Sequence, residues 1–102
     1  MRITFVKKIL ADGSPCGKCG DVQQRLDAGD WMRFIDHIAV ADERDADSEG
    51  MRLAQQHDVK RAPFFMIQHD NGDTEIHTIF LRFVREVLEP LAAGDSAARD
   101  VA

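Results

Sequence analysis

The sequence predicts an α/β fold in which a four-stranded mixed sheet is flanked by helices, with its elements in the order βαβα-ββα. Three observations predict this class. Apolar, β-branched runs lie at 3–6 and 34–41, a segment of helical periodicity separates them, and Asn71-Gly72 lies between two more β-rich runs. A helix between two strands favours parallel neighbours, whereas Asn-Gly signals a hairpin, whose strands are antiparallel. The sheet is therefore expected to be mixed.

The helices are predicted from apolar residues that recur every three or four positions. The first begins at Cys16 and ends at the "DAG" turn at 27–29. Ser48 suits the N-cap of the second, because its hydroxyl can accept a hydrogen bond from an unpaired N–H of the first turn. The third covers 80–91, and Pro90 should end or bend it, since proline lacks the N–H that a helix interior needs.

Length and composition suit one soluble globular domain. The chain has 102 residues, of which 44% are hydrophobic and 30% charged. We expect a domain over 1–92 and a flexible tail over 93–102, where the residues are small and polar. The apolar runs are much shorter than the roughly 20 residues that span a bilayer, and Lys7 and Lys8 interrupt the N-terminal apolar stretch too early for a signal peptide. We therefore expect a cytoplasmic protein without membrane contact, and we take it to be a monomer.

The charge balance argues against a nucleic-acid-binding function. The formal net charge is −5, whereas binding to phosphates requires clustered lysine and arginine. Nucleic acid is therefore not an expected partner.

The two cysteines of the chain, Cys16 and Cys19, stand two residues apart. A permanent disulfide is disfavoured, because a reducing compartment keeps thiols reduced and a bridge over so small a loop would restrict the unfolded chain little. A zinc site would need two further ligands, and the candidates are His37, His57, His69 and His77, which lack the spacing of a compact zinc finger. His69 and His77 could still approach each other across the hairpin, so metal binding stays an alternative.

A redox function requires fewer residues than a metal site, because two cysteines are sufficient. A cysteine at the N-terminal edge of a helix has its thiolate stabilised by unpaired N–H groups and by the helix dipole, which can lower its pKa from about 8.5 to roughly 3.5–7.5. Cys16 has this position. The thiolate is the form that attacks disulfides, and Cys19, one turn further on, could then attack the resulting mixed disulfide.

The order of motifs resembles the thioredoxin superfamily over roughly residues 2–91. The motif "CGKC" is similar to the thioredoxin C-G-P-C with Lys18 in place of proline, and Ala62-Pro63 in "VKRAPFFMI" resembles the cis-proline that precedes the third strand of that fold. Pro15 stands where thioredoxins have tryptophan, and no glycine pair follows the last strand as in glutaredoxins. The chain therefore resembles a divergent member of the superfamily.

This resemblance implies roles for individual residues. Cys16 would be the nucleophile and Cys19 the resolving cysteine, while Ala62 and Pro63 would present the backbone to an extended substrate. Gly17 and Lys18 would complete the substrate contacts, Gly17 by obstructing the approach little. No bound cofactor is needed, because the electrons reside in the dithiol.

Two further expectations concern charge near the cysteines. Lys18, Lys60 and Arg61 should surround the pair, where cations favour the thiolate and an anionic partner. Asp12 lies nearby in sequence, but we assign it no role in proton transfer.

The function predicted from the sequence is that of a small thiol-disulfide oxidoreductase. Its partners would be protein or low-molecular-weight disulfides, with a thiol reductase or glutathione as the electron source. The alternative is a non-catalytic carrier or binding module of the same fold, whose sulfurs hold a metal, a cluster or a persulfide, or which serves as an accessory subunit.

Overall fold

Four strands form one open mixed sheet in the computed structural model, which describes residues 1–94. The strands are β1 (Arg2–Ile9), β2 (His37–Asp42), β3 (Phe64–Gln68) and β4 (Thr74–His77). They lie in the order β2-β1-β3-β4, with β1 parallel to β2 and antiparallel to β3, and β3 antiparallel to β4. The predicted α/β class and the mixed four-stranded sheet are therefore confirmed.

Within the described residues, three helical segments connect and follow these strands. They are α1 (Gly17–Ala28), α2 (Glu49–Gln56) and α3 (Phe80–Phe83), which continues as a π-helical turn (Val84–Leu88) and then as helix over 89–94. None of the helices within residues 1–94 is both long and apolar enough to cross a membrane. The predicted tail lies outside the described residues from 95 onward, and its first two residues, 93–94, still belong to the last helix.

The Asn71-Gly72 hairpin forms as predicted. The His69 N–H donates to the Asp73 carbonyl at 2.8 Å, and the Gly72 N–H donates to the His69 carbonyl at 3.0 Å. Gly72 has a φ of +95°, which an L residue with a Cβ rarely adopts. This turn joins β3 to β4.

Two of the predicted boundaries are wrong. The second strand was expected over 34–41 but begins at His37. Residues Met32–Phe34 form a 3-10 turn instead, and the Asp36 side chain accepts the Ile3 N–H at 2.8 Å. Of the two alternatives expected for Pro90, that it ends the last helix is wrong, because the helix continues to 94. Because proline has no N–H, Pro90 cannot donate an α-helical hydrogen bond to the preceding turn. That preceding turn is the wider π turn.

Each face of the sheet has its own apolar layer, because successive side chains of a strand point to opposite faces. One layer joins the sheet to α1 and to the last helix; its strand members are Ile3, Phe5, Phe65 and Ile67, and its helix members are Val22, Leu26, Phe83, Val87 and Leu88. The other layer joins Val6, Ala39, Ala41 and Phe64 to Met51, Leu53 and Ala54 on α2. The sheet is thus enclosed by α1 and the last helix on one face and by α2 on the other.

Candidate functional site

The cysteine pair lies at the carboxyl end of β1, where a tight turn returns the chain beside the strand. Leu10 N–H donates to the Ser14 carbonyl at 2.9 Å, and Gly13 in this turn has a φ of +85°. Ile9 and Pro15 then form an antiparallel bridge. The turn delivers Cys16 to the start of α1 and next to Lys8.

Lys8 holds both cysteines through its backbone. Its carbonyl accepts the Cys16 N–H at 3.2 Å, and its own N–H donates to the Cys19 Sγ at 3.3 Å. The two sulfurs are therefore fixed against β1 rather than carried on a free loop.

The two thiols differ in exposure. Cys16 is the N-cap residue of α1 with an extended backbone (φ −67°, ψ 125°), and its side chain is partly exposed, whereas Cys19 is buried at 4% relative exposure. Both are free thiols. A partner can therefore reach the Cys16 sulfur more readily than the Cys19 sulfur.

The local environment lowers the pKa of Cys16. Partial burial of the thiol acts in the opposite direction, but it is outweighed by the backbone N–H of Cys19, the Cys19 thiol, the backbone N–H of Lys18 and the Lys8 ammonium. The sulfur forms no capping hydrogen bond, so these N–H groups act on it as aligned dipoles at the helix start. The thiolate of Cys16 is thus favoured over that of an ordinary cysteine.

Burial has the opposite result at the second cysteine and raises the pKa of Cys19 to about 11. The Lys8 N–H opposes this shift, the nearby Cys16 sulfur adds to it, and the Lys7 ammonium counteracts it. The pair therefore consists of one thiol that ionises more readily than an ordinary cysteine and one that stays protonated at neutral pH.

A cavity of about 330 Å³ adjoins the pair on the α1 face of the sheet, and both cysteines line it. Lys7 and Gln23 also line this cavity, and the Lys7 ammonium donates to the Gln23 side-chain oxygen at 3.5 Å. The sequence-based prediction did not include Lys7 or Lys8. The sequence does contain a clue to both lysines: they are neighbours at the end of a strand, so their side chains point to opposite faces of the sheet.

The Ala62–Pro63 peptide bond is cis, and Pro63 is buried while Ala62 is partly exposed. β1 and β3 pair as far as Val6 with Phe64. The ladder stops there, next to the cis bond, but Ala62 and Lys8 line one cavity. The segment before β3 and the cysteine pair therefore meet at the same end of β1.

Gly17 and Lys18 open α1 and are both exposed. A Cβ built on Gly17 would have no atom within 4 Å, so the space beside Cys16 is open. Of the predicted trio of cations, Lys18 is exposed in the first turn of α1, and Lys60 and Arg61 line a second cavity, of about 340 Å³, on the α2 face. The ammonium that lowers the pKa of Cys16 belongs to Lys8.

The histidines and Asp12 lie in other surroundings. His77 is opposite Phe65 in the β3–β4 register, and His69 and His77 approach Glu75, with Nε2 to Oε2 distances of 3.2 and 3.9 Å. Asp12 accepts the Ser14 N–H at 2.9 Å. Within residues 1–94, no three His, Cys, Asp or Glu side chains are arranged to hold a metal ion.

Comparisons of the chain with protein-family models, with curated proteins and with solved structures found no match.

Proposed function

We propose that the protein is a thiol-disulfide oxidoreductase of thioredoxin-like fold. The observation that carries the proposal is the contrast between the two sulfurs: Cys16 is accessible with a lowered pKa, and Cys19 is buried with a pKa of about 11. A reactive thiolate with a protected second thiol one turn away is the arrangement that two-step disulfide exchange requires.

In the proposed reaction, the Cys16 thiolate attacks one sulfur of the substrate disulfide. A bond forms between Cys16 and that sulfur, and the other substrate sulfur leaves as a thiolate with the electron pair. Cys19 then loses its proton and attacks Cys16, which releases the second substrate thiolate. The substrate is reduced by two electrons, and the protein is left with a Cys16–Cys19 disulfide, which a thiol reductase or glutathione would reduce.

The order of elements and the cis bond before β3 also support the thioredoxin-like assignment. The sheet order β2-β1-β3-β4, with a C-x-x-C motif at the head of α1, agrees with the resemblance drawn from the sequence. A metal or cluster carrier gains less support, because residues 1–94 add no third ligand group to the two sulfurs.

Trapping of the mixed disulfide tests the proposal. Reduced Cys19→Ser protein, mixed with a peptide disulfide, should accumulate a covalent adduct at Cys16 that mass spectrometry detects, because the resolving thiol is missing. The matched Cys16→Ser variant should form little adduct, since its remaining thiol is buried and protonated. Equal adducts on both variants, or no adduct on Cys19→Ser, would contradict the proposal.

A further inference from the structure

A second cavity lies on the other side of β1 from the cysteine cavity. It has a volume of about 340 Å³ and is enclosed by β2, by α2 and by the segment 58–62; we call it the α2 cavity. Its apolar wall is formed by Ala41, Met51, Ala54, Val59 and Phe64. A cavity of this size and lining accommodates an apolar side chain.

Two residues relate the α2 cavity to the candidate site. Lys8, whose backbone holds both cysteines, lines both cavities. Ala62 lines the α2 cavity, and its backbone lies outside both ladders of β3, which end at Phe64 on the β1 side and at Phe65 on the β4 side. The backbone of Ala62 is therefore open to an extended chain, beside a cavity that can take one side chain of that chain.

The rim of the α2 cavity carries more positive than negative charge. Lys8 and Glu43 neutralise each other at 3.2 Å, which leaves Asp58, Lys60 and Arg61 among the charged lining residues. Two cations against one anion favour an acidic group on the bound chain over a basic one.

From this arrangement we propose that the α2 cavity is a specificity pocket: it binds the apolar side chain next to the reactive cysteine of an extended polypeptide disulfide, with an acidic residue preferred beyond that side chain. The inference rests on the proposed function and adds the substrate class, a polypeptide rather than a small disulfide. It gives the Ala62 segment a role in selecting substrates.

Three peptide disulfides of symmetric sequence test this proposal on the unmodified protein. The peptides are Glu-Leu-Cys-Leu-Glu, Glu-Ser-Cys-Ser-Glu and Lys-Leu-Cys-Leu-Lys, each joined through its cysteine to thionitrobenzoate. The Cys16 thiolate attacks the peptide sulfur, and the coloured thionitrobenzoate thiolate leaves with the electron pair, so a single turnover of the reduced protein needs no other reductant. The symmetric flanks make the direction of binding irrelevant.

The leucine peptide with glutamates should react about tenfold faster than the serine peptide, the scale on which apolar pockets discriminate. It should react about threefold faster than the leucine peptide with lysines, a difference that high salt removes. Equal second-order rate constants for the leucine and serine peptides would overturn the pocket, and a lysine peptide as fast as the glutamate one would overturn the acidic preference.

Two neighbouring glutamines on α2 supply a matched pair of variants. Gln55 and Gln56 are both exposed, and only Gln55 lines the α2 cavity. Gln55→Trp should cover the cavity mouth and abolish the preference for leucine over serine, while Gln56→Trp should keep it. An unchanged preference in Gln55→Trp would contradict the pocket.

Failure of the proposed function gives a different result. If the unmodified protein fails to react with any of the three peptides and also with the small disulfide dithiobis-nitrobenzoate, the exchange activity itself is absent. If it reacts readily with all of them and without preference, only the specificity pocket is wrong.

Discussion

Cys16 and Cys19 carry the same thiol group and lie one helical turn apart, yet their surroundings give the two thiols different pKa values. The first sits where the N–H groups of a helix start are unpaired, and the second is enclosed by β1 and α1. The sequence allowed the prediction of Cys16 as the more reactive thiol, because helix starts stabilise anions. It gave no measure of the burial of Cys19, which depends on how α1 packs against Lys8.

Lys7 should assist the second step of exchange. Its ammonium lines the cavity beside Cys19 and opposes the rise in the pKa of that thiol, so Lys7→Met should slow the release of peptide from the mixed disulfide by about two- to tenfold, since one pKa unit corresponds to a factor of ten. Single-turnover release of a fluorescent peptide thiol measures this step.

Two controls separate charge from packing at Lys7. Lys7→Arg should keep most of the rate, and Lys18→Met should leave the release step near its original rate, because Lys18 is not among the charges that act on Cys19. In the Cys16→Ser background, Lys7→Met should also move the pH profile of Cys19 alkylation upward. Unchanged release and an unchanged profile would refute this role.

At the scale of elements, α2 lies close to β2 because Gly50 has no side chain. A Cβ on Gly50 would lie 2.3 Å from the Ala41 backbone nitrogen and 2.5 Å from the Val40 carbonyl carbon, and neither backbone atom can move freely within the sheet. Gly50→Ala should therefore destabilise the protein by about 1–3 kcal/mol, the usual cost of overpacking. Urea unfolding measures this cost.

The control for Gly50 is Gly20, which lies inside α1 with nothing within 4 Å of a built Cβ. Gly20→Ala should stabilise the protein by up to about 1 kcal/mol, because alanine favours helix more than glycine does. A Gly50→Ala variant as stable as the original chain would show that α2 does not need this close approach.

An ion pair at the start of the loop between β2 and α2 should depend on pH. Arg44 lowers the pKa of Asp42 from 3.8 to about 2 through a side-chain hydrogen bond, with Nη2 to Oδ2 at 2.9 Å. Because the pKa of the folded state is depressed, the stabilisation is present above pH 3.8 and is lost as the pH falls through about 2.

Comparison of the original chain with Arg44→Gln tests this pair. The original chain should unfold at a higher urea concentration at pH 6, and the difference should shrink between about pH 4 and 2. Arg52→Gln, which changes another exposed arginine, should show no such trend. A difference between Arg44→Gln and the original chain that stays constant down to pH 2 would contradict the assignment.

Most elements could be predicted because their signals are local. The β-branched run at Ile3–Val6 predicts a strand, and Asn71-Gly72 predicts a turn, without any contact to residues distant in sequence. The start of β2 could not be predicted from the apolar run alone, since residues Phe34–Asp36 are held out of the strand by the 3-10 turn and by the hydrogen bond from Ile3 to Asp36. Ser48 does occupy the N-cap of α2, but its hydroxyl accepts the Asp42 N–H at 3.0 Å instead of capping the helix.

At the scale of the whole molecule, β3 connects the two apolar layers. Phe64 faces the α2 layer and Phe65 the opposite one, where the Phe65 ring stacks on Phe5 and Phe83 with centroids 5.0 and 3.9 Å away. Phe65→Ala should cost about 3–5 kcal/mol in the free energy of unfolding, as is usual for a buried phenylalanine.

Phe80→Ala is the control for Phe65, because Phe80 only borders the same layer and is partly exposed. It should cost clearly less in urea unfolding. If both variants lost the same stability, the stack around Phe65 would not be the centre of the core.

The α2 cavity could not be predicted from the sequence. Its lining comes from the end of β1, from β2, from α2, from 58–62 and from the start of β3, and no local pattern links these segments. The same holds for Lys8, whose backbone contacts to both cysteines depend on the return of the chain through the turn at Gly13. Such long-range features follow only from the assembled molecule.

The contrast between the two thiols, with Cys16 ionising more readily than an ordinary cysteine and Cys19 staying protonated at neutral pH, can be measured directly. The most direct measurement is the rate of iodoacetamide alkylation of each cysteine in the reduced, unmodified protein from pH 5 to 10, resolved by peptide mass spectrometry. The Cys16 rate should reach half of its maximum at a pH below roughly 8.5, the pKa of an ordinary cysteine, while Cys19 should stay largely unmodified up to pH 9. A Cys16 rate that still rises steeply above pH 9, or a Cys19 that reacts first, would contradict this contrast.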